Sequence, residues 1–416
     1  MMRRPLALLA TVFLGSFVLS MSAANSEEAE KEPLTDAERI ARHRMGDLII
    51  KTSPGASISV EQQAHEFWFG TAISRNAWNG EMSDADREKY LQVLKENFNA
   101  AVPENAGKWG GCEPKPGQYN YETLDEMFEW CHENGLRTRG HCVYWTVPKR
   151  VKGWLKRLDN ELLYAKTRVR AFDVMNRYKG SVNEWDMNNE MLHGDFFESR
   201  LGSNIRDLMF RWCKEANPDA ILYLNDYSIL NGKQVDNYVK QIKHFQGLGT
   251  PIGGIGVQGH FWTPFVPVEK VRESFAKLAE LGLPIKVTEF DFGHDDPEKQ
   301  AEGFEQLYTI AFAEPMVNGI FMWGFWEGRH WRPDDAPWKK DWTLTPAAET
   351  YRRLVFDEWW TRWQGEANDS GEAELRAFYG TYEVTVDGET REVQLAKETG
   401  SATVDFTVSK RTSDSD

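Results

Sequence analysis

From about residue 67 onward, short apolar runs alternate with longer amphipathic segments, and this unit recurs about eight times. The short runs predict strands at 66–70, 100–103, 137–143, 184–187, 221–225, 254–258, 284–288 and 319–325. The amphipathic segments predict helices at 84–98, 121–134, 160–178, 203–216, 234–245, 268–281, 297–313 and 347–359. Eight strand–helix units are the number that closes a parallel sheet on itself. We therefore predict an α/β fold, a (β/α)8 TIM barrel spanning residues 65–362.

A doubly wound open sheet is the alternative architecture for such an alternating pattern. That fold usually carries a glycine-rich GxGxxG turn after its first strand. The corresponding stretch here has no such motif, which favours the barrel.

Two flanking segments do not follow the barrel repeat. Residues 46–64 alternate with period two around a Pro54-Gly55 turn, and residues 363–410 alternate around an Asp387-Gly388 hairpin turn. Each flank has too few strands to be stable alone. We predict that the C-terminal segment pairs with the N-terminal one in a small flanking β-sandwich. An independent C-terminal carbohydrate-binding module is the alternative.

The first residues have the layout of a secretory signal peptide. Met1 to Arg4 form a positive start, 5–20 are almost wholly apolar, and Ser22-Ala23-Ala24 offers small residues for cleavage. We predict a signal peptide at 1–24, and hence secretion to an extracellular or periplasmic location. A membrane anchor is the alternative, but the run is shorter than a spanning helix. An acidic lead-in is predicted at 25–45, disordered through Glu38, and a disordered tail at 411–416.

The amino-acid composition narrows the range of possible binding partners. The formal net charge of −15 disfavours nucleic acid and anionic lipid and is compatible with a neutral substrate. The 17 tryptophans suit a protein that grips sugar rings, although they also suit a large core. Cys112, Cys131, Cys142 and Cys213 form no CxxC pair, so the spacing of a metal site is absent and their disulfide state stays open. We expect no cofactor, no bound metal and a monomer without a membrane partner.

Polar residues follow nearly every predicted strand, where barrel enzymes place their chemistry. Two carboxylates stand out: Glu190 follows the fourth strand and Glu289 the seventh, on roughly opposite sides of the barrel mouth. Two carboxylates across a sugar-sized cleft are what glycoside hydrolysis needs. The other polar and aromatic residues at strand ends are Glu104, Asn105, Lys108, Trp109, His141, Trp145, Asn189, Asn225, Asp226, Gln258, His260, Asp291, Trp323, Trp326 and Trp331.

The neighbours of the two carboxylates suggest different roles. Like charges raise one pKa of a close pair, and that group then serves as the acid. His260 can donate to Glu289, while Asp291 can orient His260, and Asn189 stands beside Glu190. A metal site built from His141, His260 and Glu289 is the rival use of these residues.

At these positions the sequence resembles glycoside hydrolase family 10, whose members are mainly endo-β-1,4-xylanases. Residues 185–195 (WDMNNEMLHGD) resemble the acid/base signature of the family, and 287–291 (VTEFD) the nucleophile signature. Further matches are 103–105 (PEN) with Lys108-Trp109, 139–141 (RGH) with Trp145, 254–260 (GIGVQGH), and the pair Trp323 and Trp331. The resemblance spans about residues 69–342.

The resemblance implies a role for each matching residue. Glu190 is the expected acid/base and Glu289 the expected nucleophile, supported by Asn189, His260 and Asp291. The expected substrate-binding residues are Glu104, Asn105, Lys108, His141, Trp145, Gln258, Trp323 and Trp331. The chain departs from the family at Thr146, where the family often has His, in the basic loop 146–154, and in the polar segment 327–330. These departures put the subsite preferences in doubt.

The sequence therefore predicts a secreted, retaining endo-β-1,4-xylanase whose two carboxyl groups stand ~5–5.5 Å apart. The alternatives are a retaining β-glucanase or transglycosylase on a related polysaccharide, or a non-catalytic carbohydrate-binding barrel.

Overall fold

The computed structural model describes residues 34–261 and 263–407. The predicted signal peptide, residues 25–33 of the predicted lead-in, residues 408–410 of the predicted C-terminal β-segment and the predicted tail at 411–416 lie outside these residues. Within the described ranges, no helix is long and apolar enough to cross a membrane.

Two strands, β1 (Met45–Lys51) and β2 (Ser57–His65), precede a closed parallel barrel. The barrel strands are β3 (Trp68–Ile73), β4 (Ala100–Pro103), β5 (Arg137–Trp145), β6 (Glu184–Asn189), β7 (Ile221–Asp226), β8 (Gly254–Phe261), β9 (Ile285–Phe292) and β10 (Val317–Met322). They pair in chain order, and β10 closes on β3. The predicted eight-stranded barrel is confirmed, and the alternative of an open sheet is wrong.

Helices surround the barrel close to where the sequence predicts them. They are α1 (Asp36–Arg44), α2 (Asp84–Asn97), α3 (Trp109–Cys112), α4 (Glu122–Glu133), α5 (Gly153–Lys156), α6 (Asn160–Arg177), α7 (Phe196–Leu201), α8 (Ile205–Ala216), α9 (Val235–Gly247), α10 (Val268–Ala279), α11 (Pro297–Ala313) and α12 (Pro346–Arg353). The segment predicted as one helix at 347–359 is α12 followed by a π-helical turn, Leu354–Glu358. Short side chains cap several first turns, including Ser83 at α2 and Asp159 at α6.

Several barrel strands run further toward the mouth than predicted. β8 continues to Phe261 and β9 to Phe292, and their ladder pairs Gln258 with Glu289 and His260 with Asp291. Backbone pairing therefore persists beneath polar side chains that interrupt the apolar pattern. β10 ends earlier than predicted, at Met322, so Trp323 follows the strand instead of lying on it.

The two flanks form one β-sandwich beside the barrel. Five more strands follow the barrel: β11 (Arg362–Glu366), β12 (Glu372–Phe378), β13 (Gly380–Val386), β14 (Glu389–Leu395) and β15 (Ser401–Asp405). One sheet has the order β12-β1-β15 and the other β11-β2-β13-β14. Buried side chains from both sheets, such as Leu48, Val60 and Val384, share one apolar cluster. Because each sheet contains strands from both ends of the chain, the C-terminal flank does not stand as a separate module.

The β13–β14 connection is the hairpin that the Asp387-Gly388 pair predicts. Asp387 has φ 47° and Gly388 has φ 90°, and Val386 pairs with Glu389 across the two-residue loop. Positive φ at both central positions matches the right-handed twist of the two strands.

The expected disorder through Glu38 is wrong for residues 36–38, which belong to α1. Thr35 caps this helix, because its side chain accepts a bond from the Glu38 backbone N–H at 3.3 Å. The Glu38 carboxylate in turn accepts from the Thr35 N–H at 2.8 Å. This reciprocal capping box is written in the sequence as Thr-x-x-Glu. Asp36 then fixes α1 against α10 through a bidentate pair with Arg272.

Arg44, at the end of α1, ties the N-terminal segment to the barrel. Its buried guanidinium donates to the carbonyl oxygens of Phe312 at 2.6 Å, Glu314 at 2.5 Å and Val317 at 2.7 Å. These carbonyls lie where α11 ends and β10 begins. Burial lowers the pKa of Arg44 to about 9, so the group stays cationic at neutral pH.

We expect Arg44→Ala to lower the free energy of unfolding by about 3 kcal/mol, because it leaves buried carbonyls without their charged donor. Arg42→Ala is the matched control, since Arg42 is exposed two residues earlier. Urea unfolding of both variants measures the difference. Equal stabilities for the two variants would show that Arg44 does not anchor this segment.

Candidate active site

Glu289 lies on β9 and is held by a chain of buried groups. His260 on β8 approaches it, with Nε2 3.2 Å from Glu289 Oε2. The other ring nitrogen of His260, Nδ1, lies 2.9 Å from Asp291 Oδ2. Because these residues alternate along two paired strands, all three side chains point to one face of the barrel mouth. The predicted support of Glu289 by His260 and Asp291 is thus present in the geometry.

The charge states of His260 and Asp291 depend on their contact with each other and on Glu289. Burial lowers the pKa of His260, but Asp291 and Glu289 outweigh burial and raise that pKa to about 10. Burial raises the pKa of Asp291, and the His260 cation outweighs it, so the net direction is downward. His260 is therefore a cation between two carboxylates, and it donates from both nitrogens.

Asn225, at the end of β7, is the functional residue to which the sequence analysis gave no role. Its Nδ2 donates to Glu289 Oε1 at 2.8 Å and to Asn189 Oδ1 at 2.9 Å. Its Oδ1 accepts from the Thr288 hydroxyl at 2.5 Å, which fixes the orientation of the amide. The signal available in the sequence is an amide at a strand end, between the strands that carry the two carboxylates. Glu289 thus receives a donor on each oxygen.

Glu190 lies just after β6 and is half-buried. Its φ of 62° is left-handed, a conformation that costs a non-glycine residue about 1 kcal/mol and persists where surrounding contacts fix it. The Trp145 indole N–H donates to Glu190 Oε2 at 2.8 Å, and Gln258 Nε2 lies 3.5 Å from Oε1. Burial raises the pKa of Glu190, the Trp145 bond lowers it, and the charges of Glu289 and Asp226 raise it. The net direction is upward.

His141 forms the floor beside these groups. Its Nδ1 lies 2.8 Å from Asp186 Oδ2, and Asp186 also binds the fully buried Arg139 at 2.6 Å. The His141 ring meets Trp323 edge-on, with centroids 5.0 Å apart. The charged cluster under the site thereby orients the imidazole, while Trp323 covers one of its sides.

A cleft of about 850 Å³ opens from this floor, and Glu104, Asn105, Lys108, Trp145 and Trp331 line it. Lys108 donates to Asn105 Oδ1 at 2.8 Å, and its ammonium lies 4.8 Å from the centre of the Trp145 ring. Trp331 is 46% exposed, and its indole N–H donates to Asp291 at 2.6 Å. An exposed flat ring fixed at one edge suits the face of a sugar.

All the predicted site residues therefore gather at one end of the barrel. The rival metal set does not assemble, since His141 pairs with Asp186 while His260 pairs with Asp291 and Glu289. Over the described ranges, no group of three or more His, Cys, Asp or Glu side chains is arranged to hold a metal ion. All four cysteines are buried and unpaired.

The two segments that depart from the family pattern also border the cleft. Pro148–Arg150 and Glu327–Arg329 each form a 3₁₀ turn. Arg329 donates to the Glu81 carbonyl at 2.7 Å, and the buried His330 lies 2.6 Å from the Arg332 carbonyl. Segment 327–330 is thereby fixed to its surroundings.

Comparison with known proteins gives a consistent picture. The profile of the family described as Glycosyl hydrolase family 10 matches residues 59–357. The chain is 38% identical over 357 residues to the anti-sigma-I factor RsgI6 of Acetivibrio thermocellus, covering 84% of this chain and 46% of that protein. It is 36% identical over 354 residues to endo-1,4-beta-xylanase 1 of Arabidopsis thaliana, covering 82% of this chain and 36% of that protein.

Solved structures show the same architecture. The xylanase 10B structure from Thermotoga petrophila RKU-1, in complex with xylobiose, aligns with a TM-score of 0.65 at 29% identity, covering 70% of this chain and 95% of that one. Native xylanase 10B from Thermotoga maritima aligns with a TM-score of 0.65 at 28% identity, covering 70% and 96%. The chain spans less than half the length of the two curated relatives above.

We expect His260 to stay protonated through pH 8, because its pKa is raised to about 10 by the flanking carboxylates. In Asp291→Asn the larger of the two charge contacts is lost, and the pKa of His260 falls by roughly one unit or more. Nitrogen-15 NMR titration of labelled histidine measures both values. Deprotonation of His260 near pH 6.5 in the unmodified protein would contradict the proposed charge state.

Proposed function

Because the chain belongs to glycosyl hydrolase family 10, we propose that it is a secreted endo-1,4-β-xylanase that cleaves internal bonds of xylan with retention of configuration. The observation that carries this proposal is the unequal environment of Glu190 and Glu289. Glu289 receives a cationic donor and an amide donor, whereas the pKa of Glu190 is raised. One group is thereby suited to attack as an anion and the other to donate a proton.

In the first step Glu289 attacks the anomeric carbon while the glycosidic C–O bond breaks. Glu190 delivers its proton to the departing oxygen, so the leaving sugar is released as an alcohol. The product is an ester between the Glu289 carboxyl and the glycone, and Glu190 is left as a carboxylate. The donors His260 and Asn225 hold Glu289 at its position before the attack.

In the second step Glu190 takes a proton from water, and the water oxygen attacks the anomeric carbon. The ester bond to Glu289 breaks, and both carboxyl groups return to their starting protonation. Two inversions at one carbon give net retention. The Trp145 indole, bonded to Glu190, remains in place for both proton transfers.

Three further activities remain alternatives. A β-glucanase differs only in the sugar it accepts, and a transglycosylase differs only in the acceptor that attacks the ester. A non-catalytic carbohydrate-binding barrel is the third, and one relative carries the name of an anti-sigma-I factor. The intact hydrogen-bond chain around Glu289 supports catalysis over binding alone.

Export is part of the proposal and rests on residues 1–24 alone. The positive start, the apolar stretch and the small residues at 22–24 suit a signal peptidase substrate.

The proposal is tested by product analysis on xylan, cellulose and mixed-linkage β-glucan. We expect xylo-oligosaccharides from xylan, released first as β-anomers by proton NMR, and little product from the glucans. Glu289→Ala is the control, because it removes the attacking oxygen and should lower kcat by about 10⁴-fold or more. Faster turnover of a glucan, first release of the α-anomer, or full activity in Glu289→Ala would each overturn part of the proposal.

The alkaline limb of the pH–activity profile should follow Glu190, which must be protonated for the first step. Trp145→Phe removes a donor that stabilises the carboxylate, so the pKa rises and the limb moves upward by about 0.5 to 1 pH unit. Asp226→Asn removes a neighbouring negative charge, so the limb moves downward. Profiles of kcat/KM from pH 4 to 10 measure both, and shifts of the same sign in the two variants would refute Glu190 as the acid.

A further inference from the structure

The cleft carries a concentration of positive charge that is unexpected in a chain of net charge −15. Six cationic side chains line it: Arg75, Lys108, Lys149, Arg150, Lys152 and Arg329. Glu104 is its single carboxylate among the described residues that line it. We call these six residues the cleft cations. Their excess over acids is local and opposes the charge of the whole chain.

The fold leaves the charges of the cleft cations available to bind a ligand. Within the described part of the chain, none of the six has a carboxylate within ion-pair distance, whereas many other surface cations do, such as Arg211 and Lys277. Arg75, Lys149, Arg150 and Lys152 are exposed. Their charges therefore face the cleft solvent without a protein counterion.

Local packing directs part of this charge toward the catalytic centre. The guanidinium of Arg150 and the ammonium of Lys108 each lie 4.8 Å from the centre of the Trp145 ring. Trp145 in turn donates to Glu190. The stem of Lys152 lies against Gly110, where a Cβ would come within 1.8 Å of the lysine Cε. The basic loop thus begins one side chain away from the acid/base group and extends along the cleft.

The shape of the cleft favours an anionic sugar over other anionic partners. The charges line a concave cleft with Trp145 and Trp331 in its wall, whereas duplex nucleic acid and membranes need a broad exposed basic face. Outside the cleft, the net negative charge of the chain also repels nucleic acid and anionic membranes. Aromatic side chains beside unpaired cations suit a ligand that offers a sugar face together with an anionic group.

We propose that the cleft cations bind the carboxylate of a uronic acid side group on the polysaccharide, and that the protein prefers an acidic, uronate-substituted xylan. This preference rests on the proposed function and names the substrate class of the same site. Lys149 and Lys152 supply the outer charges, and Arg150 links them to Trp145. The carboxylate supplies a counterion that the described residues do not provide.

The test compares glucuronoxylan with the same polymer after chemical reduction of its carboxyl groups, which keeps the side sugar and removes only the charge. We expect the native protein to show about fivefold higher kcat/KM on the acidic polymer at low salt, with the preference falling as ionic strength approaches about 0.5 M. Lys149→Gln/Lys152→Gln should remove most of this preference and leave the rate on the reduced polymer within about twofold of the native value.

Lys156→Gln/Lys179→Gln is the matched control, because both lysines are exposed and outside the cleft lining while the change in net charge is the same. Equal rates of the native protein on the two polymers, or an equal fall on both in the Lys149/Lys152 variant, would overturn the preference. Loss of the preference in the control would show a general charge effect and overturn the assignment to the cleft.

If neither polymer is cleaved, the proposed function fails, and binding decides the inference separately. Calorimetric titration with an aldotetraouronic acid and with neutral xylotetraose should then still show tighter binding of the acidic ligand. Equal affinity for the two ligands would overturn the inference as well.

Discussion

The contact between His260 and Glu289 is the interaction on which the site depends. Glu190 and Glu289 lie at the same barrel mouth, and double displacement needs one of them ionised and the other protonated. His260 resolves this because Asp291 keeps it cationic and aims it at Glu289. The chemical distinction between them is therefore made by a neighbour.

The barrel supplies this arrangement because parallel strands end at one rim. The sequence was sufficient for the strand count and for the positions of both carboxylates and of the His260–Asp291 pair, since all four residues come at or just after the ends of apolar runs. The strand ends were less predictable. Polar side chains interrupt the hydrophobic pattern near the mouth, yet the ladder continues beneath them, so β8 and β9 extend past their predicted ends. The barrel is thus easier to predict than its rim.

The sequence did not predict the contacts that depend on the register of several strands or on distant segments of the fold. The bond of Asn225 to Glu289 depends on the register of three strands and on the Thr288 hydroxyl. The carbonyls bound by Arg44 lie more than 260 residues away. The α1 cap is different, because Thr35 and Glu38 form a local Thr-x-x-Glu motif that is visible in the sequence. Residues that follow strand ends and motifs within one helical turn could be identified in the sequence, whereas the partners of Asn225 and Arg44 required the fold.

The charges that support catalysis and the charges that bind substrate lie at different depths in the site. The charges around Glu289 are buried and paired, so salt screens them little and the chemistry is insulated from the medium. Five of the six cleft cations are exposed and none pairs with a carboxylate of the residues that the structure describes, so their influence is weak per contact and sensitive to salt. Substitutions in loop 146–154 can therefore change which polysaccharide is bound without altering the protonation of Glu190.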